Sequence, residues 1–160
     1  MESPGPGNAP RQMSHPSFKS ILVAVDGSEQ AYDAVRVAAR LASALSARLT
    51  LMTAYHGPSE ALGEPNYSRA LADALGEAQG ILEDARRAAL NAGGPEPQVE
   101  WLAGEPAETI VETARAGEYD LVVVGTLGRG RLGAALLGSV SSAVAAQAGR
   151  PVLVVGDVLR

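Results

Sequence analysis

The sequence contains no cysteine and only two histidines, His15 and His56, among its 160 residues. Disulfide bonds and thiolate metal sites are therefore excluded, and a zinc site built from histidines is not expected. A chain that uses no disulfides suits a reducing compartment. We therefore predict a cytoplasmic protein.

Aromatic residues are also scarce, at 4% of the chain, whereas apolar residues of all kinds make up 46%. The core must therefore be built from Ala, Val and Leu, which favours helices packed closely on a valine-rich sheet. A chain of this length has the size of one ordinary domain. One domain with a single core is the expectation.

No apolar stretch approaches the ~20 residues of a membrane span, and no cationic start precedes an apolar signal segment. The formal net charge of −5 repels polyanions over most of the surface. No local basic patch stands out beyond Arg129 and Arg131. We expect a soluble protein that binds neither membranes nor nucleic acid.

The segment Met1–Ser17 holds four prolines and two glycines and almost nothing apolar. Such a segment cannot bury enough apolar surface to offset the entropy of ordering it. We predict that residues 1–17 form a disordered N-terminal tail. A single folded domain is expected over residues 18–160.

Short apolar runs alternate with longer segments of helical periodicity after this tail. The five predicted strands are Ser20–Val25, Leu49–Tyr55, Gln98–Leu102, Tyr119–Val124 and Pro151–Val155. The predicted core residues of the first three helices are Ala31, Val35, Ala38, Ala42 and Leu45, then Leu71, Leu75, Leu82 and Ala89, then Ile110, Val111 and Ala114. A fourth, short helix is predicted from Ser139 to about Ala148. Parallel strands need such crossovers, so helices should cover both faces of a parallel sheet.

We therefore predict a doubly wound, Rossmann-like α/β fold with an open five-stranded parallel sheet in the order 3-2-1-4-5. In this order the winding reverses between strands 1 and 4, which opens a crevice at their carboxyl ends. Asp26 follows the first strand and Gly125 follows the fourth. These two residues should face each other across the crevice.

A glycine-rich segment, Gly125–Ser139, joins the fourth strand to the last helix. Glycines let backbone N–H groups wrap an anion, and the first turn of the next helix adds unpaired donors and a partial positive charge. Ser139 can offer its hydroxyl to the same anion. We interpret the segment as a phosphate loop; the alternative is a flexible loop that Gly138 ends.

Two better-known phosphate motifs do not fit this segment. It contains no lysine, so the loop of Walker-type NTPases is absent. Glycines 128, 130 and 133 imitate a dinucleotide fingerprint. That fingerprint opens the first βαβ unit of its fold, and this chain offers no second half to hold a nicotinamide.

Three further features have two interpretations each. Asp26 can accept a ribose hydroxyl or hold a Mg²⁺ ion that bridges phosphates, or it only ties down its own turn. Ala54, near the end of the second strand, can form a wall for an adenine ring or belong to the core. Arg129 and Arg131 can neutralise phosphate or simply solvate the loop.

Four motifs together resemble the universal stress protein family over about Phe18–Val155. They are Val-Ala-Val-Asp26-Gly-Ser28, Gly104-x-Pro106, Gly125-x2-Gly128-x9-Gly138-Ser139 and the terminal Pro-Val-Leu-Val-Val. The third is the most specific, because in that family its spacing separates members that bind ATP from those that do not.

The resemblance implies a homodimer that binds an adenine nucleotide and acts in stress tolerance rather than as an efficient enzyme. The matching nucleotide contacts are Asp26, Ala54, Gly125, Gly128, Gly138, Ser139 and Val140. Arg129 is a further candidate contact, and Mg²⁺ is an expected companion of ATP at Asp26. The ligand in the cell, whether ATP, AMP or a cyclic nucleotide, stays open.

No residue in the sequence looks like a catalytic base poised over a γ-phosphate, so we predict a nucleotide-dependent sensor rather than an enzyme. One rival is a slow ATPase or phosphotransferase that uses Asp26, Arg129 and Arg131. Another is a dimerisation module without any ligand. The apolar edge strand Val152–Val155 is the predicted contact of a symmetric homodimer.

Overall fold

The computed structural model describes residues 17–126 and 137–156. The predicted tail lies outside these residues except for Ser17, as do residues 127–136 and 157–160. The described strands are β1 Ser20–Ala24, β2 Arg48–Tyr55, β3 Gln98–Ala103, β4 Leu121–Gly125 and β5 Val152–Val155. The described helices are α1 Glu29–Leu45, α2 Asn66–Asn91, α3 Pro106–Ala116 and α4 Ser139–Gln147, with a short 3₁₀ turn at Glu60–Leu62.

All five strands are parallel and lie in the order β3-β2-β1-β4-β5, which confirms the predicted fold. The central strand β1 pairs with β2 on one side and with β4 on the other. The chain therefore winds outward in one direction through β2 and β3 and in the other through β4 and β5. The carboxyl ends of β1 and β4 part at this switch point.

Side chains alternate between the two faces of the sheet, and both faces are buried. Ile21 and Val23 pack in one core cluster with residues of α1 and α2. Leu22, between them, belongs to the other cluster, which holds residues of α3 and α4. Burial on both sides explains why the strands are continuous apolar runs instead of alternating patterns.

Most of the predicted helix stripes are buried, with three corrections. Leu45, the last residue of α1, is 38% exposed. Leu71 and Leu75 are only half-buried, since the buried residues of α2 begin at Ala78. The first half of this long helix therefore covers less of the sheet than its periodicity predicted.

Two helices begin at residue types that are common at helix starts. Ser28 accepts a hydrogen bond from the N–H of Ala31 and so caps α1. Pro106 opens α3, where its missing N–H costs nothing. Among the described residues, no helix is both long and apolar enough to cross a membrane.

Candidate functional site

A cavity of about 300 Å³ lies at the switch point, between the ends of β1 and β4. Its apolar wall is formed by Ala24, Val25, Ala31, Met52, Ala54, Pro106, Ile110, Val124 and Val140. The remaining lining residues are Asp26, Ser28, Gly125, Thr126, Gly138, Ser139 and Ser141. The cavity is thus apolar on one side and rich in hydroxyl and backbone groups on the other, and its described lining contains no lysine or arginine.

Six of the eight predicted site residues line this one cavity: Asp26, Ala54, Gly125, Gly138, Ser139 and Val140. The other two, Gly128 and Arg129, lie outside the described residues, as does Arg131. Asp26 and Gly138, which are 112 positions apart in the sequence, therefore line the same cavity, at the switch point that the strand order predicted. Their common location supports treating them as one site.

The β1 side of the cavity is a tight turn held by side chains. Asp26 Oδ1 accepts hydrogen bonds from Ser28 N at 2.9 Å and from Ser28 Oγ at 2.5 Å. Ser28 Oγ in turn accepts from Ala31 N at 3.2 Å. The turn-forming interpretation of Asp26 is therefore correct for Oδ1, while its side chain remains exposed at the cavity.

The α4 side has no such side-chain cap. Gly138 is the N-cap residue, and it has no side chain with which to bond the first N–H groups of the helix. The first hydrogen bond along the helix runs from Ser142 N to Gly138 O, at 2.9 Å. The N–H groups of Ser139, Val140 and Ser141 precede that bond, so the helix itself gives them no acceptor. A free helix start of this kind favours an anion.

Gly125 has a structural reason to be glycine. A Cβ atom there would lie 2.7 Å from the backbone carbon of Gln30 and 3.0 Å from Ala31 N. These are backbone atoms of α1 that cannot move aside. Close packing of β4 against α1 accounts for this glycine, whichever ligand the cavity accepts.

Gly138 differs, because its φ of −63° and ψ of 163° are accessible to any residue. Backbone strain therefore does not explain the glycine. Its position at the cavity leaves the start of α4 without a covering side chain. This is the arrangement that the phosphate-loop interpretation requires.

Sequence reasoning missed the hydroxyl of Ser141 and most of the apolar wall. Ser141 is 2% exposed and its Oγ lies 3.2 Å from the carbonyl oxygen of Thr126. Met52 is fully buried, and Ile110 closes the cavity from α3. The sequence could have indicated Met52 by its position, because Met52 and Ala54 are two residues apart on β2 and therefore lie on the same face of the strand.

The described residues contain no group of three or more His, Cys, Asp or Glu side chains that could hold a metal ion. Asp26 is the acidic residue of the described cavity lining. A cation at this position would need its other ligands from water or from a bound anion, as is usual for Mg²⁺ with phosphates.

Comparison with known proteins gives a consistent picture. The profile of the Universal stress protein family matches residues 17–156. A universal stress protein of Thermus aquaticus is 42% identical over 138 residues, which cover 86% of this chain and 98% of that protein. One from Mycobacterium tuberculosis is 33% identical over 145 residues, covering 87% and 97%.

Solved structures agree with the sequence matches. A universal stress protein in complex with cAMP is 30% identical, with a TM-score of 0.66, and the match covers 87% of this chain and 97% of that chain. A universal stress protein from Lactobacillus plantarum is 27% identical, with a TM-score of 0.74 and coverage of 86% and 97%.

Proposed function

The chain belongs to the universal stress protein family, and from this membership and the geometry of the cavity we propose that it binds an adenine nucleotide, with ATP as the expected ligand. The observation that carries the proposal is the uncapped start of α4 on the same cavity as an apolar wall. A nucleotide has the same two parts, a polyanion and a flat apolar base. The solved relative in complex with cAMP supports the same ligand class.

In this proposal the N–H groups of Ser139 and Val140, with the Ser139 hydroxyl, bind the phosphates. The cavity lining described offers no cationic side chain, so backbone donors and the helix dipole must supply the attraction. Gly128 and Arg129, which the family pattern places in the same loop, would add to them. Ala54 would face the adenine ring and Gly125 would approach the ligand with its backbone.

Asp26 is proposed to contact the ribose or a Mg²⁺ ion bound to the phosphates. Its Oδ1 already accepts two hydrogen bonds from Ser28, which fixes the direction of the carboxylate. A carboxylate close to a triphosphate is favourable only when a cation or a hydroxyl donor lies between them. If Asp26 acts through Mg²⁺, its benefit for ATP binding depends on the metal; if it acts through the ribose, it does not.

We assign the protein a sensor role, in which nucleotide occupancy is read by other cytoplasmic components during stress, rather than catalysis. Phosphoryl transfer needs a positioned base or nucleophile besides the bound nucleotide. Among the described lining residues, Asp26 is the acidic group, and Ser28 already occupies its Oδ1. Multiple-turnover release of ADP that Asp26→Ala abolishes would favour the ATPase alternative instead.

Mass spectrometry of small molecules released from the purified protein tests the ligand assignment. We expect an adenine nucleotide to be retained or, after its removal, ATP to bind in calorimetry more tightly than adenosine. GTP serves as the matched control for the base. A purified protein that retains no nucleotide and gives no heat with ATP would exclude the proposed function.

A homodimer through β5 is a separate part of the proposal. β5 ends the sheet on one side, and its residues Val152, Leu153 and Val154 are only half-buried. The other edge strand, β3, exposes Val99, Trp101 and Leu102 by 38–41%. Sedimentation of Val154→Lys against the edge control Val99→Lys distinguishes the two edges, and we expect only Val154→Lys to give monomers.

A further inference from the structure

Ser141 is a buried serine in the first turn of α4, and its hydroxyl joins the two ends of the glycine-rich segment. Its Oγ lies 3.2 Å from the carbonyl oxygen of Thr126, directly after β4. The same Oγ lies 3.1 Å from the carbonyl oxygen of Gly138, the N-cap residue of α4. One hydroxyl proton is thus shared between both carbonyls.

The contact with Gly138 is local, but the contact with Thr126 spans 15 residues of sequence. Thr126 is itself fixed to the sheet, because its N–H donates to the carbonyl of Val155 at 3.0 Å. Ser141 therefore ties the start of α4 to the end of the β4 and β5 pair. Within residues 17–126 and 137–156, no other side-chain hydrogen bond joins Thr126 to α4.

The hydrogen bond from Ser141 to Thr126 lies where it can affect ligand binding. Ser141 lines the cavity and directly follows Ser139 and Val140, whose N–H groups have no acceptor in the helix. Hydrogen bonds to an anion weaken steeply when a donor is displaced or turned. The direction of these N–H groups depends on where the first turn is held.

We propose that Ser141 is a positioning residue for phosphate binding: its hydroxyl holds the first turn of α4 against the end of β4, so that the free N–H groups point into the cavity. The inference rests on the proposed function for its ligand. It goes beyond that function because it assigns a role to a buried side chain that need not touch the nucleotide.

The chain offers a matched control at the next position. Ser142 is on the same helix, but its side chain is exposed. Ser141→Ala and Ser142→Ala therefore make the same chemical change in the same helix. Ser141→Thr keeps the hydroxyl and provides the conservative rescue.

Calorimetric titration of all four proteins with ATP and with adenosine tests the proposal. We expect Ser141→Ala to weaken ATP binding about three- to tenfold, the effect of losing one hydrogen bond in the supporting structure. Adenosine binding should stay near the wild-type value, because adenosine has no phosphate to bind the N–H groups of α4. Ser142→Ala should match wild type, and Ser141→Thr should recover most of the ATP affinity.

Other outcomes overturn the inference. Equal ATP affinity in Ser141→Ala and Ser142→Ala would show that the hydroxyl does not position the donors. Equal losses for ATP and adenosine would indicate a purely structural role. If wild-type protein binds neither ligand, the proposed function fails first; amide hydrogen exchange of unliganded Ser141→Ala then still tests the tie, and protection unchanged from Ser142→Ala in the first turn of α4 refutes it.

Discussion

Helices α1 and α4 both begin at the rim of the same cavity, but their first turns are satisfied in different ways. Ser28 caps α1 with its own hydroxyl and is braced by Asp26. Gly138 leaves α4 without a side-chain cap. A side chain of the fold accepts from Ala31 N at the start of α1, whereas no side chain caps the start of α4, whose donors remain for a ligand. The position of a helix start on a cavity therefore does not identify an anion site until its cap is known.

Covering the start of α4 should have the largest effect on ligand binding. Gly138→Val retains an accessible backbone conformation, since φ is −63°, but places a branched side chain in front of the N–H groups. We expect ATP affinity to fall by about 2–4 kcal/mol, through loss of charge-assisted hydrogen bonds. Adenosine affinity should fall much less. Equal ATP affinity by calorimetry in variant and wild type would discard the phosphate-loop interpretation.

A substitution of Gly125, which packs against α1, should lower the stability of the fold rather than change ligand preference. Gly125→Ala places a Cβ 2.7 Å from the backbone of Gln30, so strand or helix must shift. We expect the free energy of unfolding to drop by about 1–3 kcal/mol, as for other overpacked sites. Gly156→Ala is the control, because its Cβ would meet only Thr126 Cγ2 at 3.8 Å. Urea unfolding curves of equal midpoint for both variants would contradict the packing account.

Gly125 and Gly138 also show how much of the site could be predicted from the sequence alone. Apolar runs and the order of elements predicted the sheet correctly, and therefore brought Asp26 and Gly138 to one cavity. They could not show that Gly125 faces the backbone of α1, because that contact depends on the distance between two elements. A ligand-based explanation of the glycine was the simpler one from sequence.

The burial of residues near helix ends and the contacts of single hydroxyl groups could not be predicted from the sequence for a related reason. Leu71 and Leu75 continue the apolar period of α2, yet they are only half-buried and the fully buried residues of the helix begin at Ala78. Ser141 is one of three serines in four residues, and only the structure distinguishes it from Ser139 and Ser142 by its contact with Thr126. Periodicity gives the face of an element but not its neighbours along that face.

Asp26 offers a test of whether the α1 side contributes to binding at all. Asp26→Asn keeps an oxygen that can accept from Ser28 and removes the charge, so the turn should be retained. With Mg²⁺ present we expect ATP affinity to fall by about 1–3 kcal/mol. In EDTA, loss of like-charge repulsion should bring the variant level with wild type or above it.

Titration of ATP with and without Mg²⁺, alongside a circular dichroism melt, measures this difference. The same penalty in both buffers would show that Asp26 does not act through a metal. No penalty in either buffer would leave it as a turn residue alone, and the start of α1 would then have no part in binding.

The smallest effects are expected when the two caps are altered separately. Ser28→Ala removes the acceptor for Ala31 N and should cost about 1 kcal/mol of unfolding free energy, the usual value of an N-cap. Its ratio of ATP to adenosine affinity should stay unchanged, because the first turn of α1 binds no phosphate.

Gly138→Ser should instead change ligand binding with little effect on stability. A hydroxyl cap stabilises the unliganded protein by only a few tenths of a kcal/mol, but it competes with phosphate for the same N–H groups. ATP should therefore raise the melting temperature of Gly138→Ser less than that of wild type. Thermal melts of both variants without ligand, with ATP and with adenosine measure these effects, and a changed ligand preference in Ser28→Ala would show that the two helix starts share the anion.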